Sequence, residues 1–167
     1  MSKTLLLVRH AKSSWDDPDL ADHARPLNKR GKREAAAMAQ RVAHRPDRPE
    51  LIVTSPATRA RRTAEAMAAA MGCEPESLVV DPRVYDATVT SLLEVIRSLD
   101  DRHAHVMLVG HHPGITDAVN ALADAKIDRM PTCSVAGIRL EIPSWAEVRE
   151  GGAVLIALLT PKDDAHE

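Results

Sequence analysis

Short aliphatic runs alternate along the chain with longer segments whose apolar residues recur at helical spacing. The run from Thr4 to Val8 has no polar alternation, as expected for a strand of a parallel sheet that is covered on both faces. Further strands are predicted at Leu51–Val53, Leu78–Val80, Val106–Val109, near Ser134–Ile142 and at Ala153–Leu159. This alternation predicts an α/β fold with three layers, α/β/α, around a mostly parallel central sheet. Because no helix separates the last two strands, one of them is expected to pair antiparallel at an edge.

The predicted helices have recognisable ends. Asn28 is expected to cap a helix from about Lys29 to His44, after a polar surface loop from Ser13 to Lys29. Ser55 as the cap and Pro56 as the first helical residue predict the start of a second helix. Gly72 is expected to end it in the left-handed conformation. A third helix is marked by Leu92, Ile96 and Leu99, and a fourth is predicted from about Pro113 to Ala123.

Composition excludes several classes of protein. The length of 167 residues predicts one domain over residues 1–167. With 22 basic and 24 acidic residues the net charge is −2, which gives no reason to expect a nucleic-acid partner. Phenylalanine is absent and the only aromatic residues are Trp15, Trp145 and Tyr85, too few for a base-stacking platform. A hydrophobic content of 44% at low net charge argues against a disordered chain.

The cysteines and the apolar runs bear on location. Cys73 and Cys133 lie far apart and form no CxxC unit, so neither a disulfide framework nor a thiolate zinc site is indicated. No apolar run approaches the roughly 20 residues that a membrane-spanning helix needs, and no signal-peptide pattern is present. We therefore expect no membrane association and a location in a reducing cytoplasm.

Cationic and imidazole side chains follow three of the predicted elements. Arg9 and His10 end the first strand, His111 follows the fourth strand, and Arg59 lies in the first turn of the second helix. In an open α/β sheet, ligands bind beyond the carboxyl ends of the strands. Arginine opposes the dipole at a helix N-terminus, and a bound dianion would offset that cost. The pattern predicts a phosphate-type anion site built from these four residues.

Other readings of the same residues are less specific. A single histidine at a strand end is more often structural than catalytic, and Arg61 and Arg62 fit a solvated helix face. His112 and Pro113 could serve only to begin the fourth helix. A metal site formed by His10, His111 and His112 is not favoured, because no acidic ligands accompany these histidines.

Three motifs in this order resemble those of the histidine phosphatase superfamily, which has the phosphoglycerate-mutase-like fold. Leu7-Val8-Arg9-His10-Ala11 is similar to its Arg-His-Gly signature, with Ala11 in place of the usual glycine. The segment from Thr54 to Ala64 is similar to its second motif, and Val109–Pro113 resembles its third. Arg25-Pro26-Leu27-Asn28, with Gly31 and Ala35, matches the family segment that enters the first helix.

The resemblance implies a role for each matched residue. His10 would be the nucleophile that carries the phosphoryl group, and Arg9, Arg59 and His111 would form the phosphate pocket. It also implies catalysis without a metal ion or other cofactor, which agrees with the lack of a carboxylate cluster for Mg²⁺.

Departures from the family pattern narrow the range of expected substrates. Many members carry a glutamate general acid after the third strand, whereas Arg83–Ala87 offers only Asp86 as a possible general acid, or as a simple turn residue. The short chain without a lid insertion looks most like the SixA-type phosphohistidine phosphatases. We therefore expect a phosphorylated protein as the substrate. The alternatives are a phosphomonoesterase for a small phosphorylated metabolite and a non-catalytic phosphate-binding module.

Trp15 lies in the loop after His10. It is interpreted as lining the pocket mouth or as packing over its own loop.

Overall fold

The computed structural model describes residues 2–162, which form a six-stranded sheet and four α-helices. The strands are β1 Ser2–Arg9, β2 Leu51–Thr54, β3 Leu78–Val80, β4 His105–Gly110, β5 Val135–Glu141 and β6 Ala153–Leu159. The helices are α1 Lys29–Ala43, α2 Thr58–Met71, α3 Val89–Arg97 and α4 Gly114–Ala123. The predicted α/β class is confirmed.

The strand order in the sheet is β3-β2-β4-β1-β5-β6. Strands β1, β2, β3 and β4 pair in parallel through helical crossovers. Strand β5 is antiparallel to β1, and β6 is antiparallel to β5. The expected antiparallel edge strand is therefore β6, and the antiparallel part of the sheet also includes β5. The antiparallel pairing of β6 with β5 follows from a connection that contains only one short 3₁₀ turn.

Alternate residues of the central strands enter two aliphatic clusters on opposite faces of the sheet. Leu6 and Val8 of β1 pack with residues of α1 and α2, among them Met38 and Met67. Leu5 and Leu7 pack on the other face with residues of α3 and α4, such as Ile96 and Ile115. Both faces of β1 are therefore covered, as its continuous apolar run predicts.

Two predicted helix ends, at Asn28 and Gly72, agree with the structure, and the start of α2 differs. Leu99, expected in the third helix, lies beyond the end of α3 at Arg97. The Asn28 side chain accepts a hydrogen bond from the Gly31 N–H at 2.7 Å, and Gly72 ends α2 with φ 64°. The prediction that Ser55 and Pro56 begin α2 is wrong, because the helix starts at Thr58 without a side-chain cap. The Ser55 hydroxyl accepts instead from the Ala57 N–H at 3.2 Å.

The start of α1 lies directly against the segment that follows β1. The Lys12 carbonyl accepts from the Asn28 N–H at 3.0 Å. A Cβ atom at Gly31 would lie 2.1 Å from the same carbonyl oxygen, so only glycine allows this approach. This close packing fixes the backbone conformation of the segment that follows His10.

Candidate active site

The carboxyl ends of β1 and β4 meet the first turn of α2. His10 follows β1, His111 follows β4, and their ring centroids are 5.1 Å apart. The Nε of Arg59 lies 3.4 Å from the Nε2 of His10. His10 and Arg59 are 8% and 7% exposed. The structure thus brings these predicted site residues together, although they are up to about 100 positions apart in the chain.

His10 is held as one neutral tautomer. Its Nδ1–H donates to the carbonyl oxygen of Ala11 at 2.7 Å, which leaves Nε2 as the nitrogen with a lone pair. Burial lowers the pKa of His10 from 6.5 to about 3. The bond to Ala11 opposes this change, and the neighbouring charges of Arg59 and Arg9 add to it. The site therefore holds an unprotonated imidazole nitrogen beside a guanidinium group.

Asp22 occupies the terminal nitrogens of Arg59. Nη1 of Arg59 donates to the Asp22 carbonyl at 2.7 Å, and Nη2 donates to its carboxylate at 2.9 Å. The same carboxylate accepts from the Tyr85 hydroxyl at 2.7 Å and from Arg25 at 3.1 Å. The Tyr85 bond is the main cause that lowers the pKa of Asp22 to about 2, with the two arginines adding to it.

Asp22 and Tyr85 are site residues that the sequence interpretation missed. Asp22 lies in a 3₁₀ turn, Asp22–Ala24, inside the polar loop before α1, where no hydrophobic period marks any residue. The one signal that could have found Asp22 is its position three residues before Arg25, within the family-like segment.

His111 is oriented by Ser55. Its Nε2 lies 2.8 Å from the Ser55 hydroxyl oxygen, and its Nδ1 is buried without a hydrogen-bond partner among residues 2–162. Burial lowers the pKa of His111 to about 4; Arg59 contributes to the decrease and the carboxylate of Asp22 opposes it. Ser55, expected to be a helix cap, therefore positions a second neutral imidazole.

Arg9 is half-buried and reaches the turn that precedes β5. Its Nη1 donates to the Met130 carbonyl at 2.8 Å, while its Nε is buried without a partner in the described part of the chain. The Cys133 N–H lies 3.0 Å from both the Arg9 and the His10 carbonyl oxygens. Cys133 has φ 63°, in the left-handed region, so this turn is shaped to hold the end of β1.

Thr63 links the nucleophile segment to α2. Its hydroxyl accepts from the Ala11 N–H at 3.0 Å and donates to the Arg59 carbonyl at 2.8 Å. The backbone beside His10 is thereby fixed relative to the helix that carries Arg59.

A cavity of about 380 Å³ opens on one side of the two histidines. Arg59, Tyr85, Asp86, His111 and His112 are among the residues that line it. Asp86 is exposed and has φ 52°, a turn conformation, yet it faces the same cavity as Arg59 and His111. Within residues 2–162, no three His, Cys, Asp or Glu side chains are placed to hold a metal ion.

Comparison with known proteins identifies the family and the fold. Residues 5–86 match the model of the histidine phosphatase superfamily, branch 1. A structure assigned as the phosphohistidine phosphatase SixA of Agrobacterium tumefaciens is 30% identical, with a TM-score of 0.80 over 95% of this chain and 98% of that one. A second SixA assignment, from Nakamurella multipartitia, is 26% identical with a TM-score of 0.81 over 96% and 97%. An uncharacterized chloroplastic protein of Arabidopsis thaliana is 33% identical over 96% of this chain and 79% of its own.

The fold and these comparisons define a phosphatase. The chain belongs to the histidine phosphatase superfamily, and the two solved structures described above carry a SixA assignment. No helix among the described residues is both long enough and apolar enough to cross a membrane.

Proposed function

We propose that this phosphatase removes phosphoryl groups from phosphohistidine in a protein, through a phosphohistidine intermediate on its own His10. The observation that carries the proposal is the hydrogen bond from His10 Nδ1–H to the Ala11 carbonyl at 2.7 Å. A neutral imidazole fixed in this way presents the Nε2 lone pair to a phosphorus atom. The two solved relatives with a SixA assignment support the same substrate class.

The proposed reaction has two displacements. In the first, His10 Nε2 bonds to phosphorus while the N–P bond of the substrate breaks, and its electron pair goes to the substrate imidazole. In the second, a water oxygen bonds to phosphorus, the bond to Nε2 breaks, and that electron pair returns to His10. The water protons pass to solvent and phosphate, so the enzyme is regenerated without an added reactant.

Charge on the transferring group is stabilised by two arginines and one histidine of the site. Arg9 and Arg59 supply guanidinium donors, and the buried Nδ1 of His111 is positioned as a further donor when Nε2 accepts from the Ser55 hydroxyl. Phosphoryl transfer depends mainly on positioning and electrostatics, so these groups can serve without a metal ion. The phosphoryl group must take the Arg59 nitrogens that Asp22 occupies in this structure.

A small-molecule phosphomonoesterase is the second candidate, and one observation favours it. Asp86 lines the same cavity as Arg59 and His111 and could protonate an alkoxide leaving group. A phosphohistidine needs this help less, because a protonated phosphoimidazole leaves as a neutral ring. The two candidates therefore differ in their dependence on Asp86.

The test is rapid quench with ³²P-labelled phosphohistidine peptide and a labelled sugar phosphate. With the peptide as donor, we expect the wild-type enzyme chain to become labelled with acid-labile phosphate. The His10→Ala chain should carry no label. His44→Ala, which alters an exposed histidine at the C-terminal end of α1, is the matched control and should retain the label. Undiminished label on His10→Ala would refute the intermediate, and binding of phosphate without turnover would identify a non-catalytic module.

A further inference from the structure

Asp22 occupies a position that a transferring phosphoryl group must take. The Nε of Arg59 lies 3.4 Å from His10 Nε2, and the adjacent Nη2 donates to the Asp22 carboxylate at 2.9 Å. These two nitrogens share the edge of the guanidinium that can grip two oxygens of a phosphoryl group. The reaction proposed above therefore begins with an exchange, in which Asp22 releases Nη2 and a phosphoryl oxygen binds there instead.

The Asp22 carboxylate has other partners that keep it at the site after this exchange. The Tyr85 hydroxyl donates to it at 2.7 Å, and Arg25 donates to it at 3.1 Å. Arg25 is only 7% exposed and is hydrogen-bonded to two serines of its own loop. The main-chain carbonyl of Asp22 also accepts from Nη1 of Arg59 at 2.7 Å, a contact that does not involve the carboxylate. A carboxylate released from Nη2 therefore stays beside the bound phosphoryl group.

The cavity beside Asp22 is acidic apart from Arg59. Asp22 and Asp86 both line it, and Arg59 is the only arginine or lysine among its lining residues in the described part of the chain. Burial lowers the pKa of both histidines that line it, that of His111 to about 4, so they add no positive charge near neutral pH. The Tyr85 bond is the main cause that lowers the pKa of Asp22 to about 2, so its carboxylate is charged. Once a phosphoryl group neutralises Arg59, the remaining charges favour a positive group on the bound donor.

We propose that Asp22 is a specificity-determining residue, whose carboxylate accepts a hydrogen bond from a cationic leaving group of the phosphoryl donor. This inference rests on the proposed function and adds which donors the site prefers. The ring nitrogen of phosphohistidine that carries no phosphorus can bind a proton, and the donor is then negative at phosphorus and positive at the ring. Asp22 and Arg59 exchange their mutual bond for one bond to each end of that donor. A phosphate ester breaks the same ion pair and offers Asp22 no replacement.

The same contact suits the departure of the leaving group. While Asp22 holds the ring N–H, the N–P bond breaks and its electron pair goes to the ring nitrogen. A neutral imidazole leaves with its proton. The phosphate product has no cationic end, so the return of Asp22 to Arg59 and the repulsion between like charges both favour its release.

The binding test compares two phosphonates that His10 cannot cleave, because their phosphorus is bonded to carbon. Aminoethylphosphonate ends in an ammonium group where propylphosphonate ends in a methyl group, and the two are otherwise alike. The variants are Asp22→Asn, which removes the charge at nearly constant shape, and Asp19→Asn. Asp19 is the matched control, because it is an exposed carboxylate of the same loop that does not line the cavity. Calorimetric titration, at a pH where both phosphonates are doubly ionised, gives the dissociation constants without turnover.

We expect the wild type to bind aminoethylphosphonate about two- to fivefold more tightly than propylphosphonate, the range for a partly exposed charge pair. Asp22→Asn should lose this preference. It should also bind propylphosphonate about threefold or more tightly than the wild type does, since no carboxylate then competes for Arg59. Asp19→Asn should match the wild type for both ligands. Equal affinity of the wild type for the two phosphonates would overturn the inference, as would a preference that survives in Asp22→Asn.

Kinetics on two cleavable donors tests the same residue under turnover. In Asp22→Asn, kcat/KM should fall about two- to fivefold for a phosphohistidine peptide. It should rise for p-nitrophenyl phosphate, whose leaving group carries no positive charge and needs no general acid. A purely structural defect would lower kcat/KM for both donors, and that result would overturn a role in specificity. Absence of phosphohistidine hydrolysis by the wild type would refute the proposed function, whereas the phosphonate titrations test Asp22 without any turnover.

Discussion

The protonation state of His10 gives the sharpest test of the active-site geometry. Burial beside Arg59 and Arg9 lowers its pKa from 6.5 to about 3. That change makes the imidazolium form less favourable by about 5 kcal/mol than in a solvated histidine. At pH 5, a group with this lowered pKa is about 99% neutral, whereas an ordinary histidine is only about 3% neutral. The nucleophile should therefore stay competent well below neutral pH.

The assay is NMR titration of the ring nitrogens in protein labelled with ¹⁵N-histidine, between pH 3.5 and 8.5. The chain has eight histidines, and His10→Ala identifies the His10 signals by their loss. We expect His10 to remain the Nδ1–H tautomer without titrating down to about pH 5, as its bond to Ala11 requires. The urea-unfolded chain is the control, in which the same ring should titrate near its ordinary value.

A midpoint above pH 5.5 for His10 in the folded protein would refute the reasoning, because burial would then not exclude its charge. An Nε2–H tautomer would refute it as well, since the lone pair would point at the Ala11 carbonyl rather than into the site. The sign also bears on stability. A histidine whose pKa is lowered in the folded state leaves the free energy of unfolding unchanged above pH 6.5. As the pH falls below that value, it lowers the free energy of unfolding.

Four further results are expected. Arg59→Ala should lower kcat on phosphoramidate on the order of 10²–10³-fold, as for loss of one oxyanion-hole donor. Arg62→Ala, at an exposed arginine of the same helix, should change kcat by less than about threefold. Similar kcat values for the two variants would show that Arg59 takes no part in the chemistry. Asp86→Asn should keep phosphohistidine turnover within about fivefold, because the general-acid factor is not needed there; loss of a preferred alkyl phosphatase activity would identify Asp86 as the acid. Activity should survive EDTA, and rescue by a divalent cation after its loss would show a metal requirement. Gly31→Ala should lower the free energy of unfolding by roughly 1–3 kcal/mol, because its Cβ meets the Lys12 carbonyl, although alanine is the better helix former; an unchanged Tm would contradict this packing.

The strands and most helix ends could be predicted because their signals are local. The apolar run of β1 and the positions of Asn28 and Gly72 depend on neighbouring residues and on backbone preferences within a few positions. Arg9 and His10 could be placed at a strand end for the same reason. The failure at Ser55 is instructive, since a residue that favours a helix cap is used instead to orient His111, 56 positions away.

The contacts that turn these residues into a site were decided by tertiary structure. Asp22 meets Arg59 across 37 positions and Tyr85 across 63, from a loop in which no periodic pattern distinguishes one carboxylate from another. The position of the Trp15 ring likewise depends on Arg25, whose guanidinium stacks on one of its faces.

The layered α/β class and the residue types at the strand ends could be predicted from the sequence, because hydrophobic period and end signals are properties of short segments. The tautomer of His10 and the occupation of Arg59 by Asp22 were decided only in the tertiary structure. Each of these depends on burial and on distances between segments, which exist only once the sheet has assembled.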